Sequence, residues 1–312
     1  MDNLAVCLMG PTASGKTDVA IELRRRFPFE IISVDSALVY RGMDIGTAKP
    51  DAETLRDAPH RLIDILDPEE RYSAGNFVRD AEREMRDVLA SGRIPLLTGG
   101  TMMYFRALTG GMAEMPAADK DVRDAIDRAA DLQGWPAQHA RLKKIDPQAA
   151  ARINPNDSQR IQRALEVFDI SGRSLTDWQR SSSGEEAESD VEYVKIALQF
   201  PERQLLHDRI EQRLKKMFDS GFVDEVNGLM QRPGLTRDLP SMRSVGYRQV
   251  WAHLAGENSL EEAQYKALVA TRQLAKRQIT WLRSESELFS FDPLEAGFID
   301  AISSFLATKL HS

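Results

Sequence analysis

Short apolar runs alternate with amphipathic stretches over the first hundred residues. The apolar runs span residues 4–9, 30–34, 61–65 and 94–98, and each is short enough for a buried strand. Between the last two, apolar residues recur every four positions from Phe77 to Leu89, which is typical of one buried helix face. Ser73 is placed to cap that helix and Gly92 to end it. Alternating strands and helices predict an α/β fold with a parallel sheet flanked by helices.

Beyond about residue 112 the pattern becomes helical. Helices are predicted over 119–132, 136–144 and 157–170, and a serine-rich and acidic stretch from 181 to 192 predicts a flexible loop. A further core strand over 193–200, more helices and a final strand over 288–291 follow. We therefore predict a catalytic core formed by residues 1–112 and 190–312, with basic helices at its C-terminal end. We also predict that residues 113–189 form an inserted all-helical subdomain.

The octet after the first apolar run fits the phosphate-binding loop G-x-x-x-x-G-K-[ST] (P-loop). Its members are Gly10, Pro11, Thr12, Ala13, Ser14, Gly15, Lys16 and Thr17. The strand before it and the helical stretch after it supply the context that this motif requires. Backbone N–H groups at the helix N-terminus and the Lys16 ammonium are expected to bind a diphosphate or polyphosphate, with the Thr17 hydroxyl on Mg²⁺.

The loop alone leaves the reaction open. Kinases and NTPases with this loop normally carry a second acidic residue at a strand end to complete the Mg²⁺ site. The internal strand near residue 97 ends instead in Thr98-Gly99-Gly100, and Asp64 is a weak substitute.

Two other strand ends carry candidate chemistry. Asp35 follows the second strand, so in a parallel sheet it lies beside the phosphate loop, where it could bind metal or accept a proton. A capping role for Asp35 or Ser36 is the alternative. Thr101 follows Gly99 and Gly100, whose lack of side chains permits either close approach of a ligand or tight packing. The glycine-rich segment 42–50 could close over a substrate.

Composition indicates the cellular compartment and argues against some kinds of segment and site. Cys7 is the only cysteine among 312 residues and lies in the first strand, which predicts a core thiol in a reducing cytoplasm without intrachain disulfides. We expect no membrane segment, since no apolar run approaches about 18 residues, and no signal peptide, since the N-terminus goes directly into the first strand. The five histidines lack metal-ligand spacing, so no zinc site is expected.

Charge is uneven along the chain. The net charge of −7 argues weakly against a nucleic-acid partner, but residues 241–283 hold seven basic side chains against three acidic ones. Three segments combine arginine with glutamine or aromatic residues, a mixture that suits phosphate contact, base-edge hydrogen bonding and stacking. A solvated helix face is the alternative. The segments are Gln159, Arg160, Ile161, Gln162 and Arg163; Arg243, Ser244, Val245, Gly246, Tyr247 and Arg248; and Lys276, Arg277, Gln278, Ile279, Thr280, Trp281, Leu282 and Arg283.

Taken together, these motifs resemble those of the tRNA dimethylallyltransferases (tRNA isopentenyltransferases, the IPP transferase family). The resemblance runs from residue 10 to about 283. Besides the phosphate loop and the three segments, it rests on Asp35-Ser36-Ala37-Leu38, on Asp44-Ile45-Gly46-Thr47-Ala48-Lys49-Pro50 and on Gly99-Gly100-Thr101.

The resemblance implies transfer of the dimethylallyl group from dimethylallyl diphosphate to N6 of the adenosine 3′-adjacent to the anticodon in tRNA. Diphosphate is released, and Mg²⁺ is required. Asp35 is expected to accept the amine proton, and Thr101 to hydrogen-bond the diphosphate or hold the amine. Arg123 and Arg213 are implied to steady the diphosphate or the RNA. The three segments, together with Asp35, Ser36, Ala37 and Leu38, are expected to contact the anticodon stem-loop of tRNA, with the protein acting as a monomer.

A P-loop kinase that phosphorylates a nucleoside or small metabolite with ATP is the main alternative. It shares the fold and the phosphate loop but leaves the three basic segments unexplained. Two further alternatives are a non-catalytic RNA-binding protein and a prenyltransferase acting on free AMP. The intact Lys16, Thr17 and Asp35 disfavour the first, and the insertion and basic C-terminal helix disfavour the second.

Overall fold

The chain divides into two compact units in a computed structural model that describes residues 3–111, 115–182 and 191–310. The larger unit comprises Met1–Gly110 and Asp190–Ser312, and the smaller comprises Gly111–Ser189. The flexible loop expected near residues 181–192 falls mostly outside the described residues.

The larger unit is built on a six-stranded sheet in which every neighbouring pair is parallel, with strand order β3-β2-β4-β1-β5-β6. This confirms the predicted parallel α/β sheet. The strands are β1 (Leu4–Met9), β2 (Phe29–Val34), β3 (His60–Arg61), β4 (Ile94–Gly99), β5 (Glu192–Leu198) and β6 (Leu288–Phe291).

The third strand is shorter than its apolar pattern predicts. Leu62 and Asp64 have φ angles of 62° and 55°, in the left-handed region that extended strands do not use. The backbone therefore turns away from the sheet after Arg61, and β3 keeps only two residues. The prediction of a strand over 61–65 was wrong for this reason.

Fourteen helices lie in the described residues, with α5 to α9 in the smaller unit. In chain order they are α1 (Lys16–Arg26), α2 (Ala52–Asp57), α3 (Ala74–Ala90), α4 (Met102–Thr109), α5 (Lys120–Gln133), α6 (Trp135–Ile145), α7 (Pro147–Arg152), α8 (Ser158–Ser171), α9 (Leu175–Ser182), α10 (Arg203–Asp219), α11 (Phe222–Met230), α12 (Tyr247–Leu254), α13 (Leu260–Leu282) and α14 (Phe298–Leu310).

Hydrophobic side chains cover both faces of the sheet because successive strand residues point to opposite sides. On one face Cys7 and Leu97 pack with Phe77 and Met85 of α3. On the other, neighbouring strand positions pack against α1 and α14. The Ser73 hydroxyl accepts the Asn76 N–H at 3.1 Å, as its position at the start of α3 predicts. Burial raises the pKa of the Cys7 thiol to about 12, so this is a core side chain rather than a nucleophile.

The smaller unit has a hydrophobic core of its own, formed by α5 to α8 around Ile126, Leu142, Ile161 and Leu165. Two buried carboxylates, Asp146 and Glu166, join its helices by hydrogen bonds. Asp146 caps α7 and accepts the Thr176 N–H at 2.9 Å. No helix in the described parts of either unit is long and apolar enough to cross a membrane.

The close approach of β2 to Gly99 yields a stability test. A Cβ atom at this residue would overlap the carbonyl group of Val34, its partner on β2. Gly99→Ala should therefore push β2 and β4 apart and lower the free energy of unfolding by about 1–3 kcal/mol or more. Chemical denaturation measures this loss.

The matched control is Gly228→Ala. Gly228 is an exposed glycine of α11, and a Cβ there meets no atom within 4 Å. This change should leave stability equal or raise it by about 0.5–1 kcal/mol, since alanine favours helix. Equal effects of the two substitutions would contradict the packing argument.

Candidate active site

The carboxyl ends of β1, β2 and β4 meet at one edge of the sheet, where they border an open cavity of about 1440 Å³. The phosphate loop follows β1, Asp35 follows β2 and Thr101 follows β4. All three line this cavity, together with parts of the 42–50 segment, α10 and α13. Every lining residue belongs to the larger unit. The parallel arrangement thus brings together groups that lie far apart in sequence.

The backbone of the phosphate loop is shaped for an anion. Ala13 and Gly15 adopt left-handed conformations with φ of 64° and 89°. Gly15 stands at the N-cap of α1 and supplies no side-chain cap. The first N–H groups of α1 are consequently left for a ligand, at the end of the helix where the dipole favours negative charge.

The Lys16 ammonium is held within the loop. Its Nζ atom donates to the carbonyl oxygens of Gly10 at 2.9 Å and Pro11 at 2.7 Å, and lies 3.3 Å from the Ser14 hydroxyl. The pKa of Lys16 is lowered to about 7, mainly by burial and also by the nearby Arg213 charge, while the Asp35 charge acts in the opposite direction. A bound anion would compensate for both the lost water and the neighbouring cation.

Arg213 projects from α10 and is one of several further basic residues that line the cavity. Its guanidinium donates to the Thr47 carbonyl oxygen at 2.9 Å and forms no ion pair with any described residue. Burial lowers its pKa, and the Asp35 charge opposes that shift. Lys16 and Arg213 thus share Asp35 as the carboxylate that raises the pKa of both, an arrangement that favours an anionic ligand.

The two carboxylate oxygens of Asp35 differ in their contacts. Its Oδ1 atom accepts the N–H groups of Ala37 at 2.8 Å and Leu38 at 3.3 Å, so it stabilises the turn after β2. Its Oδ2 atom makes no hydrogen bond within the described chain and is left for a ligand. Capping by one oxygen therefore does not prevent chemistry by the other.

Thr101 connects two strand ends. Its hydroxyl oxygen accepts the Ser36 N–H at 3.0 Å, which joins the turn after β4 to the turn after β2. The Thr101 hydroxyl also donates to the Ser36 hydroxyl at 3.4 Å, a long hydrogen bond, so a substrate oxygen would compete with Ser36 for this hydrogen. Thr101 and Asp35 are thus held in one hydrogen-bonded unit at the cavity wall.

The glycine-rich segment 42–50 is anchored by Glu225 of α11. The Glu225 carboxylate accepts the backbone N–H groups of Asp44, Ile45 and Gly46 at 2.9, 2.6 and 3.1 Å, and the Tyr247 hydroxyl at 2.6 Å. A Cβ atom at Gly46 would overlap the Phe222 ring. Glu225 is a site residue that was not predicted from the sequence, although it lies on the same face of α11 as the buried Phe222, Val226 and Leu229.

Lys49 binds Asp64, the carboxylate that the sequence offered as a weak candidate for a metal ligand. Its ammonium donates to Asp44 at 2.6 Å, to Asp64 at 2.5 Å and to the Tyr40 carbonyl oxygen at 2.9 Å. The Asp64 carboxylate is therefore the partner of a buried lysine and holds the 42–50 segment in place. This pairing is the physical reason why Asp64 does not complete a kinase-type metal site.

The segment from Lys276 to Arg283 lies on α13 and at its end. Lys276, Arg277, Thr280 and Arg283 are exposed, whereas Leu282 is buried. Gln278 is also buried and hydrogen-bonds backbone groups of the cavity wall. Ile279 packs on an apolar cluster with α10, and Trp281 lies beneath the Arg106 guanidinium at 5.5 Å. Only part of this segment can face an RNA.

The other two predicted RNA segments show the same division. Arg243 and Arg248 are exposed, but Gly246 and Tyr247 are buried against Phe222, while Ser244 and Val245 line the cavity. Ser36, Ala37 and Leu38 line it too.

In the smaller unit Gln159 and Arg160 are exposed, Ile161 is fully buried and Gln162 donates to Asp127 at 2.6 Å. The buried members of these segments hold the exposed ones and do not themselves face solvent.

Arg123 and Arg163 have a common partner in the smaller unit. Both guanidinium groups bind the fully buried Glu166 carboxylate, at 2.8 and 2.7 Å. Arg163 also donates to the Pro116 carbonyl oxygen at 2.8 Å. These ion pairs offset the cost of burying Glu166, so both arginines have a structural role beside any contact with a ligand.

Comparison with known proteins matches the IPP transferase family model to residues 38–285. A full-length tRNA isopentenylpyrophosphate transferase from Bacillus halodurans is 37% identical, over 99% of this chain and 97% of that one, with a TM-score of 0.73. A tRNA delta(2)-isopentenylpyrophosphate transferase from Staphylococcus epidermidis is 30% identical, over 98% and 99% of the two chains, with a TM-score of 0.70.

A eukaryotic dimethylallyltransferase acting on tRNA shares the fold at 23% identity. It covers 98% of this chain and 77% of its own, with a TM-score of 0.77.

The state of Lys16 predicts that anion binding takes up protons. With a pKa of about 7 in the free protein, Lys16 is mostly neutral at pH 8. A bound diphosphate should raise this pKa toward its ordinary value, so binding takes up a proton and weakens as pH rises above 7. Titration calorimetry of inorganic diphosphate in two buffers of different protonation enthalpy measures the uptake.

Lys16→Met and Lys215→Met are the matched variants for this measurement. Lys215 is an exposed lysine of α10 that does not line the cavity. The Lys16 variant should lose the uptake, and the Lys215 variant should keep it. Since protonation of diphosphate itself is common to all three proteins, equal uptake in all of them would refute a titrating Lys16.

Proposed function

We propose that this chain, which belongs to the IPP transferase family, prenylates tRNA. The dimethylallyl group moves from dimethylallyl diphosphate to N6 of the adenosine 3′-adjacent to the anticodon, and diphosphate leaves. The observation that carries this proposal is the cavity, in which the phosphate loop and two cations lie beside one partly free carboxylate. It provides for a departing diphosphate and for a proton acceptor in the same place.

The leaving group is the first task of the site. The bond between the allylic carbon and the bridging oxygen breaks, and negative charge builds on the diphosphate. The N–H groups at the start of α1, Lys16 and Arg213 oppose that charge. They are positioned before the reaction and largely removed from water, which is where such electrostatic stabilisation is strongest.

The acceptor amine is the second task. The N6 lone pair is delocalised into the adenine ring, so the amine attacks poorly until its proton is removed. As the N–C bond forms, Asp35 Oδ2 accepts this proton while Oδ1 remains bound to the turn. General-base catalysis of this kind contributes typically ~10²–10⁴-fold. Thr101 donates its hydroxyl hydrogen to the diphosphate or holds the amine.

The oxygen donors of the cavity suit Mg²⁺. Thr17 and Asp35 line it, and so does Ser33, whose buried hydroxyl has no hydrogen-bond partner in the described chain. No three His, Cys, Asp or Glu side chains cluster as a metal site within residues 3–111, 115–182 and 191–310. Mg²⁺ fits such a site because it retains several waters and binds through substrate phosphates with few protein ligands. When bound, it supplies further neutralisation of the diphosphate charge.

The RNA is the third element of the proposal. From residue 263 to 283 the chain has five basic side chains and no acidic one, and Lys276, Arg277 and Arg283 are exposed. The adenosine must leave its stack to reach the cavity, at a cost of a few kcal/mol that contacts to the anticodon stem-loop offset. The proposal includes a monomer in the cytoplasm, the compartment that a single buried thiol suits.

The kinase alternative is not favoured. β4 ends in glycine and Asp64 is engaged by Lys49, so Asp35 after β2 is the remaining acidic candidate for a kinase-type Mg²⁺ site. The family match, however, concerns prenyl transfer rather than phosphoryl transfer.

Mass spectrometry of an anticodon stem-loop RNA tests the function directly. Incubation with the purified protein, dimethylallyl diphosphate and Mg²⁺ should add one prenyl unit to a single adenosine. A parallel reaction with γ-labelled ATP should transfer no label to a nucleoside. An unchanged RNA mass would overturn the proposal.

Asp35→Asn separates base catalysis from capping. The amide oxygen of asparagine can still accept the Ala37 N–H, so the turn is kept, whereas an amide cannot take up the amine proton. Turnover should fall ~10²–10⁴-fold, with RNA affinity within about threefold of wild type. Single-turnover kinetics and RNA binding measure the two quantities. Asp87→Asn, the same change at an exposed carboxylate of α3 that does not line the cavity, is the control. Parallel losses of binding and turnover in Asp35→Asn would contradict the role as base.

A further inference from the structure

Gln278 joins α13 to two loops of the active-site cavity. Its amide oxygen accepts the Thr12 N–H of the phosphate loop at 2.9 Å, and its amide nitrogen donates to the Gly100 carbonyl oxygen at 2.8 Å. The side chain is 7% exposed. One side chain thus orients the backbone on both sides of the diphosphate position.

This bridge has little freedom to move. A Cβ atom at Gly100 would lie 2.6 Å from the Gln278 amide nitrogen, so the absence of a side chain at Gly100 makes room for it. One turn before it, Ala275 is buried against Leu206 and Ile210 of α10. The amide both donates and accepts here, whereas a carboxylate of the same length lacks the donor and a hydrocarbon lacks both.

Two exposed cations lie next to this bridge on α13. Lys276 and Arg277 directly precede Gln278 and are exposed, and neither forms an ion pair with any described residue. Arg277 and Trp281 also line the cavity. An RNA that binds these cations would restrain the same helix turn from which Gln278 reaches the phosphate loop.

We propose that Gln278 is a positioning residue that couples RNA binding on α13 to diphosphate binding in the phosphate loop. RNA bound to α13 restrains the Gln278 amide, which holds the Thr12 N–H and the Gly100–Thr101 turn in the geometry that the diphosphate needs. The second ligand then has less backbone left to order, so each ligand strengthens binding of the other. The identity of the two ligands rests on the proposed function.

The coupling is measured as a ratio of dissociation constants. Binding of inorganic diphosphate with Mg²⁺ is titrated with and without a saturating anticodon stem-loop RNA. In the wild type we expect about fivefold or greater tightening by RNA, and the same factor for RNA binding with and without diphosphate. An RNA-independent diphosphate affinity would overturn the inference.

The variants Gln278→Met and Gln278→Glu test the bridge. The first removes both hydrogen bonds at similar length, and the second keeps only the acceptor for Thr12. Both should bring the ratio toward one while RNA affinity alone stays close to wild type, because the exposed cations are unchanged. Gln273→Met is the matched control, since Gln273 is an exposed glutamine of the same helix. A ratio that persists in a folded Gln278 variant refutes the role.

Hydrogen exchange of the wild type gives a readout that needs no variant. RNA binding without diphosphate should slow amide exchange at residues 10–17 and 99–101, and unchanged exchange there would count against the bridge. Prenyl transfer by the wild type is assayed separately. Transfer without coupling would refute this inference alone, whereas coupling without transfer would refute the proposed function alone.

Discussion

Parallel pairing of β1, β2 and β4 is the constraint from which the rest of the site follows. In register, Met9 lies beside Gly99 and Gly99 lies beside Val34, so three strands end at the same level. Gly99 has no room for a side chain, which lets β2 and β4 approach closely where Asp35 and Thr101 begin. Because the phosphate loop leaves β1 at that same edge, groups from three strand ends share one cavity.

Charge in this cavity is unbalanced in the free protein. Lys16 and Arg213 each lose hydration, and each lies near Asp35, the one carboxylate that raises the pKa of both. The lysine compensates by donating to carbonyl oxygens of its own loop. A diphosphate would replace those weak partners with full negative charge. The site therefore holds its cations in place before the ligand arrives, so little reorganisation is needed during the reaction.

The remaining framework is devoted to holding flexible segments still. Glu225 gathers three N–H groups of the 42–50 segment, Lys49 clamps it from the other side, and Gln278 ties the phosphate loop to α13. Each anchor is a buried or half-buried polar side chain with hydrogen bonds to backbone atoms, and Lys49 also binds the Asp44 and Asp64 carboxylates. Such bonds are directional and costly to leave unmade, so they fix loop geometry more firmly than apolar packing alone.

The sequence by itself determined the architecture of the sheet and several of the chemical groups that line the cavity. Local periodicity predicted the parallel sheet, the helical stretches and the Ser73 cap, and the motifs identified the phosphate loop and the family. Tertiary structure decided which motif residues face solvent. Tyr247 and Gln278 belong to basic segments but are buried, and β3 ends early because Leu62 turns left-handed. Periodicity reports only near neighbours, whereas Gln278 meets Thr12 across 266 positions of sequence, a contact that folding alone creates.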